Sequence, residues 1–167
     1  MSNHFVAILM GSDSDWPTMQ NTLAILTDLG IRAEVKVTSA HRTPAATHEF
    51  VKDAESRGCA VFICAAGLAA HLAGAVAGLT TKPVIGVPMD GGPLKGQDAL
   101  LSTVQMPAGV PVATVAIGKA GAKNAAYLAA QMIGIADPAI AQTVKDDRAA
   151  NAQAVMDKDA QLQASLK

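Results

Sequence analysis

Aromatic side chains are scarce in this chain: one Trp, one Tyr and three Phe make up 3% of its 167 residues. A core must therefore be filled by Ala, Val, Ile, Leu and Met, whose small side chains let helices lie close to a sheet and to each other. Charge of either sign is not in excess, with 13 basic against 14 acidic residues and a formal charge of −1. No basic stripe is present, so a nucleic-acid partner is not expected. Cysteine is limited to Cys59 and Cys64, and no other Cys or suitably spaced His joins them, which excludes a thiolate metal centre. Cys64 lies inside an apolar run and reads as an inert core thiol. Two cysteines without a secretory pattern suit a reducing compartment. The apolar runs break at Gly, Pro or charge before they reach membrane-spanning length. Met1-Ser2-Asn3-His4 leads into a strand without a charged-then-apolar signal pattern, so a cytoplasmic location is expected and no membrane partner.

What is present is a regular alternation of strand and helix signals. The length suits one domain over residues 1–167 with a core of useful size. Phe5 to Met10 reads as a buried strand. A helix follows from Asp15, taken as its capping carboxylate, with Trp16-Pro17 in the first turn and Gly30 as a stop. Arg32 to Val37 alternates apolar with charged residues, as a strand near a sheet edge does. Thr43-Pro44 opens a second helix that runs to about Arg57. Ala60 to Ala65 is a third strand, and a Gly/Ala-rich helix is predicted from Gly67 through His71. Pro83 to Pro88 is a fourth strand with its prolines at the ends. Residues 89–97 are expected as a flexible loop, with Asp98 capping a short helix to Val104. Val110 to Ile117 is predicted as a fifth strand and Lys123 to Ile135 as an Ala-rich helix. Asp137-Pro138 restarts a long, sparsely apolar terminal helix. The expected fold is a three-layer α/β/α, flavodoxin- or Rossmann-like parallel sheet of about five strands. Residues 136–167 form a helical extension expected to pack between subunits.

Two motifs fall where a strand hands over to a helix: Gly11-Ser12-Asp13-Ser14-Asp15 and Ser39-Ala40-His41-Arg42-Thr43-Pro44. In a parallel sheet such turns share the carboxyl edge, where ligands bind. The first offers backbone N–H groups, the hydroxyls of Ser12 and Ser14, and the positive end of a helix dipole to an anion. Asp15 suits ribose hydroxyls or the amides of its own helix. The turn lacks the Gly-Lys-Ser/Thr ending of an NTP-binding loop, which disfavours ATP. In the second motif His41 stands in a turn and is of the residue type that most often serves proton transfer. Arg42 can grip a phosphate or carboxylate through its planar fork. A solvated loop histidine beside a surface arginine is the plainer alternative. His71, in an apolar segment, reads on its own as a hydrogen-bonded structural histidine. His48 and His4 are not expected to act. The small residues from Gly67 to Ala70 either admit a ligand close to the backbone or allow tight helix packing. Lys119 reads as a solvated loop charge.

Taken together and in order, these pieces resemble the PurE family, class I, of purine biosynthesis. The likeness rests on Gly11 to Trp16, Ser39 to Pro44, Ala69-Ala70-His71-Leu72, Pro83 to Pro88, Asp98 to Pro107, and Ala116 to Gly121 with Asn124-Ala125-Ala126. It spans residues 5 to about 135. The resemblance implies an N5-carboxyaminoimidazole ribonucleotide mutase activity, an isomerisation without metal or organic cofactor. In such a reaction a carboxyl group moves from the exocyclic nitrogen of an aminoimidazole ribonucleotide to ring carbon C4, through transient CO2. By motif position His41 becomes the acid–base group. Ser12, Asp15 and Arg42 become substrate-binding residues, with Ser14 and Ser39 near the phosphate. The turn from Gly67 to His71 walls the CO2 pocket. A homo-octamer is implied as well. A second class of the family, which carboxylates aminoimidazole ribonucleotide with free CO2, carries Lys at the position of Arg42 and lacks Ala70-His71-Leu72. A non-catalytic, flavodoxin-like nucleotide-binding module is the remaining alternative. Two residues depart from the family pattern: Leu68, where Gly is frequent, and Ala73, where Pro is usual.

Overall fold

The computed structural model describes residues 4–166. Five parallel strands form one sheet: β1 (Phe5–Met10), β2 (Ala33–Val37), β3 (Cys59–Ala66), β4 (Val84–Pro88) and β5 (Ala113–Thr114), in the order β2-β1-β3-β4-β5. The helices between and after them are α1 (Trp16–Asp28), α2 (Pro44–Ser56), α3 (Leu72–Ala77), α4 (Gln97–Val104), α5 (Gly118–Gly134) and α6 (Pro138–Ser165). This is the expected α/β/α sandwich in its flavodoxin-like order, whose strand order reverses between β1 and β3.

Every residue of β1 is buried, because both sheet faces are covered. Successive side chains alternate between the two faces. Val6, Ile8 and Met10 join Ile63 and Ile85 against Met19 and Leu26 of α1 and the alanines of α5. Phe5, Ala7 and Leu9 join Phe62 and Cys64 on the other face, against Val51 of α2 and Leu72 and Val76 of α3. Fully burying one such aliphatic side chain stabilises by about 1.5–3 kcal/mol. Helix α5 presents a fully buried stripe of Ala122, Ala125, Ala126, Ala129 and Ala130. That narrow stripe lets α1 approach closely enough for the Thr22 hydroxyl to donate to the Ala122 carbonyl at 2.7 Å. Gly121 is required here, since a Cβ would run into the carbonyl of Ala116.

Several expectations need correction. The predicted helix from Gly67 to His71 is a turn, and α3 begins only at Leu72. Leu68 takes a left-handed φ of 57°, which stops a helix from starting there. Asp15 is the residue before α1 but makes no side-chain cap; Ser12 instead caps a short 3-10 turn, Asp13–Asp15, that feeds α1. Within the expected loop, residues 92–96 are turns, with the Lys95 N–H donating to the Gly92 carbonyl at 3.3 Å and the Gln97 N–H to the Leu94 carbonyl at 3.1 Å. Gly96, at a left-handed φ of 84°, precedes α4 in place of a capping Asp98. The fifth strand is two residues long, because it pairs only with β4, at Ala113 and Thr114, and Pro111 has no N–H to extend the ladder. Helix α5 begins at Gly118, five residues before the predicted start, so Lys119 stands in its first turn. Helix α6 is capped as its sequence suggests, the Asp137 carboxylate accepting from Ala139 and Ile140.

Candidate active site

The carboxyl ends of β1, β2, β3 and β4 each lead into a turn, and the four turns meet at the β1/β3 reversal. After β1, the Gly11 N–H donates to the Ala65 carbonyl at 3.0 Å, fastening the first turn to β3. The Ser12 hydroxyl oxygen accepts from the Ser14 N–H at 3.3 Å and from the Ser14 hydroxyl at 2.9 Å. Both hydroxyls and the Asp15 carboxyl are thereby held at one edge. Burial pushes the Asp15 carboxyl above its ordinary value; a backbone hydrogen bond at Ser12 opposes this, and repulsion from Asp13 and Asp90 adds to it. A hydroxyl donor laid against Asp15 would compensate that lost hydration.

After β2, the Thr38 N–H donates to the Met10 carbonyl at 2.8 Å, and the hydroxyls of Thr38 and Thr47 meet at 2.8 Å. The Thr43 hydroxyl accepts from the Ser39 N–H at 2.9 Å and donates to the Ser39 carbonyl at 3.1 Å. These bonds close a tight turn with His41 and Arg42 exposed at its tip. The Arg42 N–H donates to the Ser39 hydroxyl at 3.2 Å. Its guanidinium Nη2 reaches the Gly11 carbonyl at 3.1 Å, so Arg42 ties the two leading motifs together.

After β3, the Ala70 N–H folds back onto the Leu68 carbonyl at 2.9 Å and delivers His71 to the start of α3. His71 is exposed. Its ring stacks on that of His41, with centroids 5.3 Å apart and planes inclined by 21°. After β4, the Met89 N–H donates to the Ala66 carbonyl at 2.9 Å, and Gly91 and Gly92 follow.

A single cavity of about 540 Å³ lies among the four turns. Ser12, Ser14, Asp15, Ser39, His41, Arg42, Gly67 and His71 all line it. So does Leu68, within the Gly67–His71 turn expected to wall the pocket, and so do Met89, Gly91 and Gly92, which the sequence did not point to. The Gly91-Gly92-Pro93 run directly after a strand was the available signal. Thr38, Thr43 and Thr47 were also missed; the Thr43-x-x-x-Thr47 spacing was their only trace. Of the two departures from the family pattern, Leu68 faces the cavity. Ala73 is buried, 3.4 Å from where a Cβ on Gly86 would stand, and does not line it. Lys119 is not in the lining either. A second cavity, of about 440 Å³, lies between α5 and α6, lined by Asn124, Tyr127, Asp147 and Arg148 among others. It contains no residue of the two leading motifs.

Among the described residues, no group of three His, Cys, Asp or Glu side chains is placed to hold a metal ion. Both cysteines are buried and unpaired. Burial pushes the Cys59 thiol up to about 11 and raises Cys64 further, so neither is a nucleophile near neutral pH. No helix of the described residues is long and apolar enough to cross a membrane.

Comparison with known proteins places this architecture. The family profile described as AIR carboxylase matches residues 5–154. The N5-carboxyaminoimidazole ribonucleotide mutase of Pseudomonas aeruginosa is 52% identical over 152 residues, covering 91% of this chain and 93% of its own. The protein of the same name from Bacillus subtilis is 50% identical, covering 94% and 97%. The crystal structure of Treponema denticola PurE superposes with a TM-score of 0.86 at 32% identity, over 95% of this chain and 98% of that one. A chain whose sequence matches this family from β1 into α6, and whose four turns converge on one cavity at the sheet reversal, belongs to the AIR carboxylase (PurE) family.

Proposed function

We propose that this protein is an N5-carboxyaminoimidazole ribonucleotide mutase of purine biosynthesis, an isomerase that converts N5-carboxyaminoimidazole ribonucleotide to 4-carboxy-5-aminoimidazole ribonucleotide. The observation that carries the reading is the convergence of His41, Arg42, Ser12 and Asp15 on one cavity, with Arg42 bonded to Gly11 across the two turns. Identity of about half with the Pseudomonas and Bacillus mutases supports it.

Asp15 accepts from the ribose hydroxyls. The hydroxyls of Ser12, Ser14 and Ser39 and the N–H groups of the first turn receive the phosphate, and Arg42 clamps an anionic oxygen of the substrate. His41 gives its proton to the exocyclic nitrogen as the nitrogen–carboxyl bond breaks. That step leaves CO2 and aminoimidazole ribonucleotide in the closed site. Ring carbon C4 then attacks CO2, and His41, now neutral, takes the proton from C4. One proton leaves and one returns, so a single imidazole suffices and the reaction needs no cofactor. His71, stacked on His41, and Gly67 wall the space that CO2 occupies.

The protein acts in the cytoplasm as a homo-octamer. Exposed Val35 and Val37 on the β2 edge, Leu101 and Val104 on α4, and Ile135 supply apolar surface for subunit contacts, and α6 packs between subunits. Light scattering that finds only monomer at working concentration would refute this assembly. The function is tested by product analysis of the purified protein with each candidate nucleotide, with and without bicarbonate. Conversion of the carbamate independent of bicarbonate is expected. Turnover of aminoimidazole ribonucleotide with bicarbonate alone would instead mark a carboxylase, and nucleotide binding without turnover a non-catalytic module.

A further inference from the structure

Thr38 and Thr47 are buried polar side chains, and their hydroxyls meet at 2.8 Å at the base of the turn that carries His41 and Arg42. Buried hydroxyls need partners, and here the protons can be assigned in one way. The Thr43 hydroxyl donates to the Ser39 carbonyl at 3.1 Å and accepts from the Ser39 N–H at 2.9 Å. The Thr47 hydroxyl donates to the Thr43 carbonyl at 3.2 Å. Each has then used its single proton, so Thr38 donates and Thr47 accepts at the 2.8 Å contact. The Thr38 N–H is itself fastened to the Met10 carbonyl at the end of β1. Strand β1, the end of β2, the turn and the first turn of α2 are thereby joined by one run of bonds. His41 stands inside that run, yet among the described residues it makes no hydrogen bond of its own; its ring only stacks on that of His71. Arg42 differs, because its guanidinium has a tether of its own at the Gly11 carbonyl. The place of the His41 imidazole is thus set by the backbone of the turn, and that backbone is set by the three threonine hydroxyls.

We propose that Thr38 and Thr47 are positioning residues for His41: their buried hydroxyl bond clamps the turn between β2 and α2 and holds the imidazole where it gives and takes the proton. The inference rests on the mutase reading, in which His41 serves two atoms of one substrate, the exocyclic nitrogen and C4. Proton transfer requires heavy atoms within hydrogen-bond reach. A group that must reach two atoms without moving its base tolerates little drift, and neither threonine lines the cavity to compensate by touching the substrate.

The test compares wild-type protein with Thr47→Val, Thr47→Ser, the double variant Thr38→Val/Thr47→Val, and Thr22→Val. Valine keeps the shape of threonine and removes the hydroxyl. In Thr47→Val, kcat for isomerisation of the carbamate should fall roughly tenfold, as small displacements of a reacting group do. Affinity for the nucleotide, held by Ser12, Asp15 and Arg42, should change little. Thr47→Ser returns the hydroxyl and should restore most of the turnover. Replacing both hydroxyls leaves no buried donor unmatched, so the double variant should regain thermal midpoint over Thr47→Val while its kcat stays low. Thr22→Val removes a buried hydroxyl bond of 2.7 Å on the other face of the sheet; it should lose thermal midpoint and keep its kcat. A kcat that merely follows the thermal midpoint across the four variants marks a structural role and overturns the proposal, as does an unchanged kcat in Thr47→Val. Failure of wild-type protein to isomerise the carbamate overturns the mutase reading, and with it the role in proton transfer. The clamp is then read apart from activity by hydrogen exchange: the Arg42 and Thr43 amides should exchange several-fold faster in Thr47→Val than in wild type, and equal exchange overturns the clamp.

Discussion

The two sides of the cavity are built on different principles. The turns after β1 and β2 are knitted by side-chain hydrogen bonds: Ser12 to Ser14, Thr43 to Ser39, Thr38 to Thr47, Arg42 to Gly11. The turns after β3 and β4 are shaped by backbone conformation, with left-handed residues at Leu68, Gly92, Lys95 and Gly96 and apolar contact between them. A hydrogen-bonded turn holds polar groups at fixed positions, which suits an anionic nucleotide and a proton. The cavity lining these turns supply, Gly67, Leu68, Ala69, Met89, Gly91 and Gly92 beside His71, is mostly apolar, which suits a small apolar intermediate. On the proposed function the same sheet edge carries a binding half and a retaining half, with the rings of His41 and His71 stacked between them.

His41→Asn should separate the halves most sharply. Asn keeps a similar size and can hydrogen-bond, but it exchanges no proton near neutral pH. With the nucleotide held by Ser12, Asp15 and Arg42, the variant should fold and bind almost normally while turnover falls roughly 10²–10⁴-fold. Steady-state kinetics beside calorimetric titration with the nucleotide checks this. Binding lost in step with turnover would move His41 from proton transfer to substrate positioning.

The same division explains how much of the molecule was legible from residues alone. The alternation of strands and helices, a parallel sheet covered on both faces, the edge position of β2 and the convergence of residues 11–15 with residues 39–44 follow from apolar periodicity and from strand-to-helix signals, which are local. So do the hydroxyl-rich turns, because Ser, Thr and Asp announce themselves by their hydrogen-bonding chemistry. The other side was misread for a physical reason. Gly67 to His71 has helix-compatible composition, but the left-handed Leu68 makes it a turn, and Leu68 lies against Gly92, 24 positions away in sequence. Val110 to Ile117 has a strand's composition, but a strand needs a partner along its length, and only Ala113 and Thr114 have one.

Arg42→Lys is the next largest effect and probes the join between the first two turns. Lys keeps the charge but loses the fork. One guanidinium nitrogen already engages Gly11, and a single ammonium cannot span both Gly11 and the substrate with the same geometry. Affinity for the ribonucleotide should weaken by about 1–3 kcal/mol, read by calorimetry, with the fold intact by circular dichroism. Unchanged affinity would show that the binding half does not depend on Arg42.

On the retaining half, Leu68→Gly should alter stability in the opposite sense to most cavity-facing substitutions. Glycine removes the left-handed penalty but adds unfolded-state entropy, and the net gain is about 0.5–1 kcal/mol in chemical denaturation. Leu68→Ala keeps the backbone cost and should show no gain. Equal stabilities for the two variants would mean that the φ of 57° stores no strain.

The smallest effect concerns Asp15 and its pH dependence. Burial is the largest cause holding its carboxyl above the ordinary value of 3.8, with Asp13 and Asp90 contributing repulsion. The folded chain therefore binds a proton at Asp15 more tightly than the unfolded chain does. Wherever the folded state holds more protons, stability falls as pH rises. The Asp15 contribution is most favourable below 3.8 and is lost as pH climbs through the raised folded value. Asp15→Asn removes this slope. Relative to wild type, the ligand-free variant should be more stable above that window than below it, as denaturant titrations at a series of pH values would reveal. The same substitution should weaken ribonucleotide binding, because an amide accepts from the ribose hydroxyls less strongly than a carboxylate does. The half of the cavity proposed to bind the nucleotide is thus the half whose Asp15 carboxylate is disfavoured in the ligand-free fold. A variant that lost affinity without gaining stability at neutral pH would break that link.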